Sequence, residues 1–327
     1  MTVRRSISAR VAAVPLSRGK ERGLQVLERP DLVLVRRVLA VLFLVFAAVL
    51  ISGRVREGSP PTLGQVVLVL FAIAVFVGRG GRFVRDLLPI GMGLISYGLM
   101  TTYAQRLSFD VHYLPQIRVD RVIGLGTVPT VWLQSHLYTG STGVAEVFSV
   151  LMWLSHFAVP LVIGFSLWLM GRQSAFTVLM CSLLGVLVLG EITFILAPTA
   201  PPWLAAQHGD LPGVHHVLKE SLAGMHLSGI AKIDGDPKHY NIVAALPSLH
   251  VAFPLICLLV ARHFRLPRWL QGLLVLQLIG VAFAIVYTGE HYVVDVLAGL
   301  LYGYVSYRLV VALVERPRRA RVETSAG

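Results

Sequence analysis

The stretch YTGEHYVVDVLAG, residues 287–299, closes one long apolar run and opens another. His291 and Asp295 stand four residues apart at the start of the second run, so on a helix they share one face. The carboxylate is then expected to accept the Nδ1 proton of the imidazole and fix its tautomer, leaving Nε2 as a nucleophile or base. An earlier stretch, AALPSLHVAF at 244–253, must meet it in space. There Pro247 and Ser248 open another apolar helix with a second imidazole, His250, in its first turn. A helix start presents unpaired N–H groups and the positive end of the dipole, which suits a phosphate.

Working outward, the chain alternates near-uncharged runs with short basic turns. It is 55% hydrophobic and 14% charged with a mean hydropathy of +0.72, too much apolar surface for a soluble protein of 327 residues. Spans are expected at about 38–53, 63–78, 87–103, 147–170, 175–197, 247–263, 269–287 and 291–314. The fold class is therefore all-α, a polytopic membrane bundle of about eight transmembrane helices. The first 37 residues are basic and lack an early apolar core, so no cleavable signal peptide is expected. The division is a basic cytoplasmic tail at 1–37, an accessory transmembrane hairpin at 38–80, a catalytic membrane domain at 81–314 and a basic cytoplasmic tail at 315–327. Residues 104–145 are expected at the outer interface, and 204–245 as a lid loop over the active side.

The cations carry the topology. Of 29 lysines and arginines, 21 fall on the side of the two tails and 8 on the other, which puts both termini in the cytoplasm. The net charge of +12 thus reads as orientation in a cell membrane, and no nucleic-acid partner is expected. Cys181 and Cys257 lie inside apolar runs and are read as small core residues, with no disulfide or zinc spacing. His208, His215, His216, His226 and His239 fit no closed metal site, so neither metal nor cofactor is expected.

PSLH at 247–250 and HYVVD at 291–295 resemble the second and third signature motifs, PSGH and SRxxxxxHxxxD, of the type 2 phosphatidic acid phosphatase superfamily. APTAPPW at 197–203 narrows the resemblance to the inositol phosphorylceramide synthase branch, inositolphosphotransferase-like proteins in which a proline-rich turn stands where phosphatases carry KxxxxxxRP. The resemblance covers about residues 82–314. It implies a six-helix core, His291 as a nucleophile forming a phosphohistidine, Asp295 as its orienting partner and His250 as the acid for the leaving alcohol. The residues allow the same chemistry, which needs a nucleophile, an acid and donors for the equatorial oxygens. Ser248 and Leu249, with the N–H groups at 248–250, are expected to bind the substrate phosphate.

Three departures from the phosphatase pattern decide between substrates. Leu249 replaces a glycine, Ala284 and Ile285 stand where Ser and Arg are placed, and KxxxxxxRP is absent. A monoester dianion loses its cationic clamp, whereas a phosphodiester carries one charge fewer and needs less. The expectation is a phosphotransferase that moves a phospho-headgroup from a membrane phospholipid, inositol phosphate by resemblance, to a lipid or glycan hydroxyl at the outer face. One alternative is a lipid or polyprenyl phosphate phosphatase with water as acceptor. Another is a non-enzymatic transporter or scaffold.

Supporting residues are read in the same way. Glu191, seven residues before Pro198, points towards the site or else serves as interhelical glue, and His156 sits midway along a span. Pro201 and Trp203, in the proline-rich turn, complete the candidate surroundings. Arg106, Arg121, Lys232 and Lys238 lie on the outer side, where any of them could supply positive charge.

Overall fold

The computed structural model describes residues 30–57, 59, 61–87, 90, 91, 93, 110–233 and 241–326. Residues 1–29 of the expected N-terminal tail, most of the span expected at 87–103, Arg106, Lys238 and His239 lie outside the described residues, and residues 30–37 of that tail are part of the first helix. Regular structure is helical throughout the described chain: α1 (Pro30–Arg56), α2 (Leu63–Phe76), α3 (Leu114–Ile123), α4 (Pro129–Leu137), α5 (Val144–Leu169), α6 (Gln173–Leu196), α7 (Pro202–His208), α8 (Val217–Gly224), α9 (Ser228–Ile233), α10 (Leu249–His263), α11 (Arg268–Tyr287) and α12 (Val293–Ala326). Residues 80–87 are also helical.

Five segments are long and apolar enough to cross a bilayer: Val33–Arg56, α5, α6, α11 and Val293–Val314. Their exposed faces repeat at helical spacing, as at Leu297, Leu301, Val305 and Leu309 on α12, which marks a lipid-facing stripe around a buried one. This is a multi-pass membrane protein. α2 and α10 are apolar but shorter than the expected spans. At 15 residues α10 is about 22 Å long, less than the hydrocarbon thickness.

That short helix is the centre of the bundle. α5, α6, α11 and α12 all pack on it, and no residue from Leu249 to Ala261 is exposed. Its core comprises Ala252, Ile256, Cys257, Val260 and Ala261 packed with Ile163, Leu179 and Val186 of α5 and α6. Cys257 is buried there as expected, whereas Cys181 is exposed on the outside of α6.

Close approach of α12 to α10 depends on two glycines four residues apart. Gly299 lies against the Ser248 main chain and Gly303 against Ala252. At one end of the bundle α3, α4, α7, α8 and α9 form a cap. One apolar cluster joins Ile117, Val128, Ala205, Leu211 and Tyr292, and another joins Val150, Leu218, Leu222 and Ile230. The segment expected as a lid loop at 204–245 is therefore largely helical where it is described. Pro202 at the first turn of α7 and a left-handed Gly209 after it delimit one such piece.

Candidate active site

Ser248 caps α10, but its hydroxyl makes no capping bond. The Ser248 Oγ is buried with no hydrogen-bond partner among the described residues. Its main-chain N–H donates to the Asp295 carbonyl at 3.0 Å, so it is committed to joining α10 to α12. The phosphate donors expected at 248–250 thus reduce to the Ser248 hydroxyl and the first-turn N–H groups of Leu249 and His250, which have no acceptor within the helix. The Leu249 side chain turns away and packs where Gly190 of α6 leaves room.

His250 Nδ1 and His291 Nε2 are 2.9 Å apart. The remaining contact at His291 fixes the tautomers of both rings. His291 Nδ1 lies 2.8 Å from the Ala245 carbonyl, which can only accept, so Nδ1 carries the proton and Nε2 is a bare lone pair. His250 must then donate its Nδ1 proton to that lone pair. Here the structure corrects the sequence reading. The Asp295 carboxylate lies 3.7 Å from His291 Nδ1 and accepts the Tyr292 N–H at 2.8 Å instead. A main-chain carbonyl, not the carboxylate, holds the imidazole, because the turn at 288–292 brings His291 under residue 245 before α12 begins. Asp295 remains buried beside it, with Oδ1 lacking a partner among the described residues.

The proline-rich turn holds that carbonyl in place. The Thr199 N–H donates to Val243 at 2.8 Å, its carbonyl accepts from Ala245 at 3.2 Å, and its hydroxyl accepts from Leu246 at 2.9 Å. Four residues on, the Trp203 N–H donates to the Gly289 carbonyl at 3.1 Å. Residues 199–203 are therefore hydrogen-bonded to the strand-like approach to α10 and to the turn bearing His291. Pro201 is the N-cap of α7, and Trp203 is buried with its ring stacked 4.3 Å from that of His216. His216 Nε2 in turn lies 2.9 Å from Glu290. Gln134 of α4 clamps the same region, donating to the His215 and Tyr287 carbonyls at 3.1 and 2.9 Å.

One residue of the site escaped sequence reading. Asp120 of α3, fully buried, accepts the Val293 and Val294 N–H groups at 2.8 and 2.9 Å. It caps the first turn of α12 from 173 residues away, and so sets the height of Asp295 and of His291 just before it. Between Arg118 and Arg121 it looks like one member of a charged surface, and no local pattern distinguishes it.

Burial raises the Asp120 carboxyl to about 6, the Asp295 charge adds to the rise, and the two N–H donors oppose it. A folded-state value above the free-chain 3.8 favours the folded state below about 4, and that contribution is lost as pH rises through about 6. Asp120→Asn keeps the shape and an acceptor but does not titrate. Melting curves from pH 4 to 8 are expected to show wild type losing stability relative to the variant up to about pH 6 and running parallel above it. Parallel curves throughout would assign the titration elsewhere.

The other candidates divide. His156 is brought against His250, with ring centroids 4.2 Å apart, and donates from Nδ1 to the Trp153 carbonyl. Glu191 is buried in α6, and neither carboxylate oxygen has a hydrogen-bond partner, histidine or other, among the described residues. Arg121 and Lys232 occupy the last turns of α3 and α9. Among the described residues no group of three or more His, Cys, Asp or Glu side chains is arranged as a metal site.

A profile of the PAP2 superfamily matches residues 117–309, more than half the chain, from within α3 through the first half of α12. A phosphoinositol dihydroceramide synthase from Bacteroides thetaiotaomicron is 26% identical over 162 residues, 48% of this chain and 52% of its own. The chain thus spans about half the length of the curated relative it matches. No solved structure matches. With two imidazoles in contact at a membrane helix end and a family profile that spans both motifs, the chain belongs to the PAP2 superfamily.

Proposed function

We propose that the protein transfers a phospho-headgroup from a lipid phosphodiester to a hydroxyl acceptor through a phosphohistidine at His291, in a pocket open to the outer face. The observation that carries the reading is the 2.9 Å contact from His250 Nδ1 to His291 Nε2, with the nucleophilic lone pair exposed by the Ala245 carbonyl on the far nitrogen. His291 Nε2 attacks phosphorus, the bond to the lipid alcohol breaks, and the departing oxygen takes the Nδ1 proton of His250 as a second proton reaches its Nε2, so that the ring leaves the step neutral. The acceptor hydroxyl then reverses these steps, returning a proton to His250 as the N–P bond breaks. The Ser248 hydroxyl and the N–H groups of Leu249 and His250 hold the equatorial oxygens.

The resting contact is closed. An in-line displacement needs roughly 7 Å between attacking nitrogen and the donor to the leaving oxygen, summing an attack distance, a P–O bond and a hydrogen bond. A bound phosphate must therefore part the two rings. His291 is anchored at Nδ1, so His250 is the ring that moves.

The phosphodiester preference rests on charge. Ala284 and Ile285 occupy the positions where phosphatases of the family place Ser and Arg, and both are fully buried apolar residues of α11. The 21 to 8 division of cations supports cytoplasmic termini and an outward pocket. An inositol phospholipid donor and a ceramide-like acceptor are in keeping with the relative's name.

Purified protein incubated with a headgroup-labelled phosphodiester lipid and a candidate acceptor tests the reading. Label appearing on a second lipid is expected. Release of free phosphate from monoesters, with the diester untouched, would instead make it a phosphatase.

A further inference from the structure

We propose that His156 is a positioning residue that holds the second proton of the His250 imidazole, and so acts on the leaving group through His250. The inference rests on the transfer reading above and adds its proton balance. A neutral His250 has one proton, at Nδ1, and giving it to an alkoxide leaving group would leave an imidazolate, which no protein environment supports at neutral pH. Another proton must arrive at Nε2 in the same step.

The structure offers one evident holder. His156, 2% exposed and midway along α5, donates its Nδ1 proton to the Trp153 carbonyl, so its Nε2 is a free base. Its ring centroid is 4.2 Å from that of His250, closer than the 4.9 Å of the hydrogen-bonded His250–His291 pair. The other rings around His156 are apolar or nearly so, Trp153, Phe157 and Phe253. A buried imidazole in such company is costly unless it has polar work to do. When phosphate displaces His250 from His291, the imidazole already packed against it is His156.

The protons then balance. Binding of the phosphodiester anion brings in one proton from water, which sits between the two Nε2 atoms and is carried formally by His156. As the P–O bond breaks, the leaving oxygen takes the Nδ1 proton of His250, and the shared proton passes to His250 Nε2, leaving both rings neutral. In the second half the acceptor hydroxyl gives its proton to His250 Nδ1, and the Nε2 proton returns to His156. Nothing is consumed.

Two phosphodiester donors with the same headgroup test this, one with an alkyl alcohol as leaving group and one with p-nitrophenol, whose anion departs without a proton. For full-length His156→Phe, transfer from the alkyl donor is expected to fall roughly 100-fold, the size of a lost general-acid contribution, while p-nitrophenol release falls less than about three-fold. Retained p-nitrophenol release also shows that the variant is folded. His156→Gln, which can bond the Trp153 carbonyl but cannot take a second proton, is expected to show the same selectivity and serves if the Phe variant accumulates poorly. Equal slowing of both donors, or of neither, in a protein whose wild type uses both would overturn the role of His156 and leave the transfer reading standing. A wild type inert towards both donors would overturn the two together.

Discussion

His291→Ala protein is expected to transfer label at least roughly 10⁴-fold more slowly than wild type and to carry no acid-labile, base-stable phosphate after quenching during turnover. The size follows from what the side chain does. His291 Nε2 is freed by a main-chain acceptor on the other nitrogen and lies against His250, and alanine offers no substitute nucleophile. The loss should fall on kcat more than on KM, because Ser248 and the first turn of α10 still present their donors to phosphate. Some stability goes too: the Ala245 carbonyl and His250 Nδ1 both lose a partner inside the bundle, at about 1–3 kcal/mol for each group left unsatisfied. Folded protein must therefore be confirmed by gel filtration and thermal melting before rates are compared. Wild-type labelling of the alanine variant would move the nucleophile elsewhere and end the phosphohistidine scheme.

The parts of this arrangement that could be read in the sequence are those carried by local pattern. Apolar runs predicted α5, α6, α11 and the apolar part of α12 to within about three residues, because bilayer thickness fixes the length such a run must have. The meeting of His250 with His291 followed from both standing at helix ends on one side of the bundle. What remained hidden is carried by main-chain atoms or by distance. The Ala245 carbonyl that sets the tautomer belongs to a residue whose side chain says nothing, and Asp295, four residues from His291, was the more conspicuous partner. Asp120 reaches α12 across the whole catalytic segment, and nothing in IRVDRVIG separates a buried cap from a solvated carboxylate. The polar, histidine-rich composition of 204–245 read as loop. Its short helices are held by apolar contacts with α5 and within the cap.

Gly299→Ala is expected to lower activity by about 100-fold or more although residue 299 touches no substrate, and to do so far more severely than Gly303→Ala. Both glycines face α10 from α12, but the space beside them differs. A Cβ at 303 meets Ala252 atoms at 3.1 to 3.3 Å, which a shift of a few tenths of an ångström relieves. At 299 it would drive into the Ser248 carbonyl oxygen, with the Ser248 carbonyl carbon at 3.0 Å and Val251 Cγ2 at 2.8 Å. The obstruction is main chain, so no rotamer change removes it, and the helices must separate by an ångström or so. They separate where Ser248 N–H bonds the Asp295 carbonyl at 3.0 Å, the link that keeps the donor-bearing end of α10 in register with the turn carrying His291. Misplacement on that scale costs about 10²-fold in an aligned displacement, and overpacking a bundle core costs about 1–3 kcal/mol. Because His291 and its acceptor Ala245 both lie outside the two packed helices, phosphoenzyme formation should slow without the nucleophile itself being altered, and Asp120 still caps α12. Transfer rates and melting temperatures of the two variants, measured side by side, check the argument. A Gly299→Ala protein with wild-type turnover would mean that the α10–α12 contact does not govern the distance between the two imidazoles.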